Sequence, residues 1–437
     1  MTGPEEVLSP AMRQAVGEFG RADVVVGIPS YNNARTIGHV VNAAQAGLAK
    51  YFPDLRCIVL NSDGGSSDGT SDVVRGAALG DGHLLLLAHP MFPVHRLSLP
   101  YRGIPGKGSA FRTIFLAAEL LGARACAVVD ADLRSITPEW IQLLVGPVLQ
   151  HDFDYVAPYY LRHKFDGTIT NSIVYPLTTA LYGVRIRQPI GGDFGISRRL
   201  AAHYLSKDVW ETDVARYGID AWMTTTAICD GFRVCQSFLG AKIHDAKDPG
   251  ADLSDMLVQV VGTVFGLMET HESSWQAVTA SADTPMFGFR FGVGLEPVAV
   301  DPERMIGRLR AGLRDLQDVW QPILDEADLA CLSQLANGEP EAFRFPDDLW
   351  VRIIYAFARA YRHRVAERSQ LVRSILPLYM GRVASWVIET WSSDAAEVDQ
   401  RIERLRERFE AGKPFFRLGW NGVEEGEQRG IRFWRRR

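Results

Sequence analysis

The chain has little cysteine. There are five in 437 residues, at positions 57, 126, 229, 235 and 331, and no two form a CxxC pair. An odd, scattered set gives a disulfide framework little weight, and Cys57 and Cys126 sit in apolar runs where the thiol acts as a small hydrophobe. Long hydrophobic runs are also missing: no stretch of about 18 apolar residues offers a membrane span. The opening MTGPEEVLSP lacks the basic-then-apolar pattern of a secretion signal. The expectation is a reduced, cytoplasmic protein whose substrates are soluble or reach it from a membrane surface. Net charge is small, at -5 with a pI near 6.1, which excludes a protein-wide attraction to nucleic acid or acidic lipid. The locally basic Arg435-Arg436-Arg437 reads as a solvated tail. No internal repeat or low-complexity segment stands out.

What is present is ordinary globular material, 47% hydrophobic and 23% charged, long enough for two or three domains. The first third alternates apolar runs with helical patterns. Val24 to Ile28, Cys57 to Leu60, Leu84 to Ala88 and Ala125 to Val129 read as buried strands, with a later one at Arg233 to Leu239. Helical spacing covers Thr36 to Leu48 and Ser109 to Leu121, each with its apolar residues on one face. Continuous apolar strands alternating with helices predict an α/β fold around a mainly parallel sheet covered on both sides. From about Met256 the texture turns helical, as in Leu257 to Met268 and Leu349 to Arg373, with no comparable polar cluster. The expected layout is an extension over 1–20, a catalytic α/β domain over 21–255 and a helical region over 256–437. The helical region packs on the catalytic domain or builds a homo-oligomer interface.

Parallel sheets bind ligands beyond the carboxyl ends of their strands. Polar residues gather at three such ends: Pro29-Ser30-Tyr31-Asn32-Asn33, Asn61-Ser62-Asp63 and Asp130-Ala131-Asp132. In extended chain, residues two apart share a direction, so a pair of acids at a strand's end can face one hard cation, Mg²⁺ or Mn²⁺, that also bridges phosphate oxygens. Gly106-Lys107-Gly108-Ser109 opens the helix before that strand. Glycines allow close approach, a helix N-terminus favours anions and Lys107 adds a full charge, although the long glycine spacing of a Walker A loop is missing. Asp63 can accept from a nucleobase ring N–H, whereas Asp68 or Ser67 reads as a helix cap. His244, Asp193 in the Gln188-to-Asp193 turn and Asp220 each have a bland alternative as surface, turn or helix-start residues.

Together these pieces resemble the GT-A glycosyltransferases over roughly residues 20 to 250. More narrowly they look like the retaining mannosylglycerate and glucosylglycerate synthases, and are similar to the glucosyl-3-phosphoglycerate synthases. The carriers are Pro105-Gly106-Lys107-Gly108, Asp130-Ala131-Asp132, Gln188-Pro189-Ile190-Gly191-Gly192, Tyr217-Gly218-Ile219-Asp220 and Lys242-Ile243-His244, in that order. The resemblance implies an NDP-hexose donor, a divalent metal and D-glycerate or 3-phosphoglycerate as acceptor, with no nucleic acid partner. Pro29, Tyr31, Asp63, Lys107, Asp130 and Lys247 would line the nucleotide-sugar, and Asp132 and His244 would ligate the metal. Arg162 and Thr170 would meet the acceptor carboxylate, with Gln188 nearby. Asp220, Asp193 and Lys107 would serve the transfer itself.

Two departures bear on the sugar. Asp193 follows Gly191-Gly192 where relatives often carry the longer Glu, and Asp245-Ala246-Lys247 lacks the aromatic and arginine character of a mannosylglycerate synthase. Glucose is therefore the expected hexose, with Lys247 in place of an arginine at the diphosphate. A nucleotidyltransferase would want its glycine-rich loop after the first strand, where Pro29-Ser30-Tyr31-Asn32 stands. A non-catalytic nucleotide-sugar sensor would have no need of the whole set of acids, lysine and histidine.

Overall fold

The structure is a computed structural model that describes residues 7–8, 10–77, 95–100, 105–244 and 253–422. The strand expected at Leu84 to Ala88, Lys247 and the tail Arg435-Arg436-Arg437 lie outside the described residues.

The strands are β1 (Val24–Ser30), β2 (Cys57–Asp63), β3 (His95–Pro100), β4 (Ala125–Val128), β5 (Tyr155–Leu161), β6 (Val184–Arg185), β7 (Phe194–Ser197), β8 (Val234–Ala241), β9 (Ala282–Asp283) and β10 (Met286–Phe287). Eight of them form one sheet in the order β3-β2-β1-β4-β7-β5-β8-β10. Every pairing is parallel except those of β7, which runs antiparallel between β4 and β5. β6 and β9 pair separately. This is the GT-A arrangement: a mainly parallel α/β sheet with one reversed strand beside the site.

β1 and β2 are buried along their whole length, as unbroken apolar runs predict. Side chains alternate between faces. Val24, Val26 and Ile28 pack with the helices Ile37–Tyr51 and Pro138–His151, whose Val40, Val41, Ala44, Trp140, Ile141 and Leu144 are buried beside them. Each such aliphatic side chain contributes about 1.5–3 kcal/mol by leaving water. On the opposite face the helix Lys107–Leu120 lies so close to β1 that a Cβ at Gly27 would stand 2.3 Å from the Ile114 side chain. That close fit anchors the helix whose first residue is Lys107.

By its internal contacts the chain divides into two compact units. The first comprises Met1–Asp166, Val184–Lys247 and Ala282–Val298; the second comprises Gly167–Gly183, Asp248–Ser281 and Ala299–Arg437. The second unit is helical where described. Its helices include Ser254–Thr270, Asp347–His363, Leu376–Thr390 and Ala395–Trp420, the last started by a capping box between Asp394 and Glu397. Tyr355 stacks on Phe416 with centroids 4.4 Å apart, and Trp275 and Trp420 complete that aromatic core. Lys413 donates to the carbonyls of Leu181 (3.0 Å) and Val278 (2.8 Å), just where two helices end. The helical stretch expected over Leu349 to Arg373 is interrupted. Arg364 takes a left-handed φ of 53°, and Glu367 caps a new helix at Arg368 through the amides of Ser369 and Gln370. Arg368–Thr390 has the length and hydropathy of a membrane span, but 72% of that window is buried inside the protein.

Candidate functional site

The carboxyl ends of β1, β2 and β4 lie side by side, since β1 pairs with both neighbours in parallel. Ser30 and Asp63 are register partners there, and the Ser30 hydroxyl donates to Asp63 Oδ1 at 3.0 Å. Asp63 also accepts from the Ser66 hydroxyl at 2.6 Å and from the amides of Gly65 (3.0 Å) and Ser66 (2.9 Å), so its carboxylate holds its own turn. Asp68 accepts from the Thr70 amide and hydroxyl and from the Ala34 amide, tying the β1 loop to the helix Thr70–Gly76 rather than occupying the cap position, which is Gly69. Pro29 is buried in β1 and Tyr31 is 63% exposed.

Lys107 is brought inward by its two glycines. A Cβ at Gly106 would stand 2.6 Å from the Ala215 carbonyl oxygen, and one at Gly108 would stand 1.9 Å from that of Val214. The loop therefore lies flat against 214–216, just before the helix Ile219–Cys229 that carries Asp220 in its first turn. The sequence pattern of small residues around Lys107 thus sets which acid it meets.

Five charged groups converge. Lys107 Nζ lies 2.8 Å from Asp130 Oδ1 and 3.3 Å from Asp220 Oδ2. Lys242 Nζ lies 2.6 Å from Asp130 Oδ2, 2.8 Å from Asp193 Oδ2 and 2.7 Å from the Gly191 carbonyl oxygen. Asp193 Oδ1 accepts the Asp130 amide at 2.8 Å, and the Tyr160 hydroxyl donates to Asp193 Oδ2. Burial by itself would raise Asp130, but the two lysines outweigh it and hold the carboxyl well below the usual range. Asp193 and Asp220 go the other way: burial pushes both up, with Lys242 and Lys107 respectively opposing. Both lysines end above their ordinary value, because the facing carboxylates overcome burial. Asp220 Oδ1 is buried with no hydrogen-bond partner, an acceptor in want of a donor.

Asp132 lies just beyond, half-buried. The chain there forms an antiparallel bridge between Leu133 and His244, reinforced by the Arg134 amide on the Ile243 carbonyl at 2.9 Å, so His244 is held opposite the residue next to Asp132. His244 Nε2 stands 3.5 Å from Asp166 Oδ2. Among the described residues no group of three His, Cys, Asp or Glu side chains forms a metal cage. A hard dication that carries a diphosphate takes only one or two protein groups and fills the rest with phosphate and water, a use that a carboxylate and an imidazole on two bridged chain segments, Asp132 and His244, suit in ligand chemistry.

Arg162, just past β5, lies 3.5 Å from Asp166 and over the Tyr160 ring at 5.4 Å, and its Nε is buried without a partner. Gln188 is buried with Oε1 unsatisfied. A small open pocket of about 40 Å³ is lined by His163, Asp166, Lys242, Ile243, His244 and the segment 295–298. Thr170, in the second unit, is buried at the start of a π-helical turn. The fold thus brings Lys107, Asp130, Asp193 and Asp220 together and bridges His244 to Leu133, the residue after Asp132. Reading the sequence missed Lys242 and Tyr160. Lys242 stands in the noticed Lys242-Ile243-His244 run, but a lysine after a strand ordinarily points to water. Tyr160 is one of three tyrosines in YVAPYYL, and nothing local distinguishes it.

Residues 94–266 match the family model described as the mannosylglycerate synthase GT domain. The chain is a glycosyltransferase of GT-A architecture. It is similar to the glucosylglycerate and mannosylglycerate synthases. Solved structures that match include glucosyl-3-phosphoglycerate synthase from Mycobacterium tuberculosis with Mn²⁺, uridine diphosphate and glucosyl-3-phosphoglycerate. That chain is 22% identical, the match covers 59% of this chain and 84% of that one, and the TM-score is 0.43. The same synthase with Mg²⁺ and uridine diphosphate is 23% identical, over 59% of this chain and 83% of that one, with a TM-score of 0.42. No curated protein matches the chain.

Proposed function

We propose that the chain transfers a hexose, glucose by preference, from a nucleotide-sugar to the 2-hydroxyl of D-glycerate with retention of configuration, as a cytoplasmic enzyme making a compatible solute. One observation carries this reading: a lysine at a helix N-terminus, Lys107, is held between a half-buried acid, Asp130, and a buried one, Asp220, at the carboxyl edge of the sheet. Those acids are a temporary counterion. A diphosphate draws Lys107 to itself, which frees Asp130 Oδ1 and Asp220 Oδ2 to accept hydroxyl protons from the donor sugar or ribose and from the acceptor. The matched family segment supports the reading, because 94–266 takes in Lys107, Asp130, Asp132, Asp193, Asp220 and His244 together.

Asp132 and His244 would hold a Mg²⁺ or Mn²⁺ ion, which when bound neutralises charge on the departing diphosphate. Pro29, Tyr31 and Asp63 would border the nucleobase. Asp63 already accepts four hydrogen bonds within its turn, so it would serve by shaping that edge as much as by direct contact. Arg162, with an unsatisfied buried Nε, would take the acceptor carboxylate, aided by Gln188. Retention requires no side-chain nucleophile when the leaving phosphate takes the acceptor's proton on the same face of the sugar. Lys247 would add charge at the diphosphate.

A donor-by-acceptor grid tests this. UDP-, GDP- and ADP-glucose and the matching mannose donors are each incubated with D-glycerate or 3-phosphoglycerate and Mn²⁺ or Mg²⁺, with products read by mass spectrometry. The expected result is a hexosylglycerate from one glucose donor. Product only with 3-phosphoglycerate would move the reading to the phosphorylated acceptor; no transfer in any cell would end it.

A further inference from the structure

Lys242 is used to capacity. An ammonium has three N–H donors, and its three acceptors are Asp130 Oδ2, Asp193 Oδ2 and the Gly191 carbonyl, all within 2.8 Å. Its side chain is 3% exposed, and it also lies over the Tyr160 ring at 5.1 Å. Asp193 is equally committed. One oxygen takes the Asp130 amide, the other takes Lys242 and the Tyr160 hydroxyl, and the side chain is fully buried. The turn before it is built to suit. Gly192 has φ of 92°, and a Cβ there would stand 2.1 Å from Asp130 Oδ2 and 2.9 Å from Lys242 Nζ. Lys107 differs: its side chain is 17% exposed and holds its acids at 2.8 and 3.3 Å, leaving a donor to spare.

We propose that Lys242 and Asp193 are a buried positioning pair that ties the ends of β4 and β8 to the glycine turn and aims Asp130 at the donor, so that Asp193 does not itself read the sugar. This rests on the donor-site reading above. The lysines then divide the work. Lys107 is exchanged to the diphosphate when donor arrives, while Lys242 stays and keeps one Asp130 oxygen fixed so that the other faces the pocket. An acid one carbon shorter than Glu suits this inward use, because Asp193 ends among Lys242, Tyr160 and the Asp130 amide rather than beyond them.

The test is calorimetric binding of UDP-glucose and UDP-galactose, or the corresponding epimer pair for the base the chain accepts, with Mn²⁺ present. It uses the full chain and the variants Asp193→Asn, Lys242→Met and Lys242→Met/Asp193→Asn, each first shown folded by its melting temperature. Wild type and Asp132→Ala serve as controls for the donor site itself. A positioning pair predicts that both single variants weaken both sugars in the same proportion, by about tenfold or more. It also predicts that the double variant binds at least as tightly as Lys242→Met, because no buried carboxylate is left unpaired. A merely structural role would lower the melting temperature and leave the affinity of the folded variants at the wild-type value, which overturns the proposal. A changed glucose-to-galactose ratio in Asp193→Asn but not in Lys242→Met also overturns it, by making Asp193 a sugar reader. Should the wild-type chain bind no nucleotide-sugar, the donor-site reading falls and takes this inference with it, an outcome recognisable because every variant then behaves alike.

Discussion

Replacing Lys107 with Met keeps most of the side chain's volume and deletes one cation. Asp220 loses its only ion-pair partner among the described residues, and Asp130 is left with Lys242 alone. Removing one partner of a buried pair costs roughly 3–5 kcal/mol. The low end, about 3 kcal/mol, applies at neutral pH, since Asp220 escapes part of the cost by taking a proton. At ~2–4 °C per kcal/mol for a domain of this size class, the melting transition falls by about 6–12 °C. The pH dependence is more telling. Burial places the folded value of Asp220 above its unfolded one, so that group's stability is fully present below the unfolded value and is lost as pH rises through the folded value. Without Lys107 the folded value climbs further and the loss deepens. Asp130 is displaced the other way, and the stability it adds above its unfolded value shrinks in the variant. Both effects widen the gap between wild type and Lys107→Met as pH rises from about 4 to about 7.5. Differential scanning fluorimetry across that range, without nucleotide or metal, measures it. A gap that stays constant, or narrows toward neutral pH, would show that Lys107 is not the counterion of these acids.

Arg162→Ala should raise the Michaelis constant for glycerate by about a hundredfold, the worth of a charge-assisted contact of roughly 3 kcal/mol, while the donor constant stays within about twofold; initial rates with each substrate varied in turn decide it. Gly192→Ala should lose donor binding and destabilise the chain by at least about 1–2 kcal/mol, because φ of 92° and a contact at 2.1 Å to Asp130 both oppose a side chain, as urea unfolding and calorimetry would report. Gly108→Ala, whose Cβ would meet the Val214 carbonyl oxygen at 1.9 Å, should displace Lys107 and lower kcat/KM more than it raises the acceptor constant. Wild-type kinetics in either substitution would count against the close backbone approach.

Much of the sheet was legible, because β1, β2 and β4 are buried on both faces and their residues form unbroken apolar runs. Their polar ends, Ser30, Asp63 and Asp130, follow from the same pattern. The reversed strand β7 was not legible: Phe194–Ser197 is four residues long, follows a glycine turn and is fixed only by its pairing with β4 and β5. The break at Arg364 depends on a backbone conformation that arginine rarely adopts, and no local residue announces it. In the site, Lys107 and Asp130 could be picked out because glycines and a strand end flank them. Lys242 could not, because what makes it special is three acceptors drawn from positions 130, 191 and 193, which only the folded sheet brings together. Tyr160 is hidden in the same way among its neighbouring tyrosines.

The most direct test of the central claim counts bound manganese. The electron paramagnetic resonance signal of free Mn²⁺ is followed as the chain is added with and without nucleoside diphosphate, for wild type and Asp132→Ala. The account predicts one Mn²⁺ taken up per chain when diphosphate is present, little without it, and loss of that uptake in Asp132→Ala. Equal uptake by the variant, or none by the wild type with any nucleoside diphosphate, would contradict it.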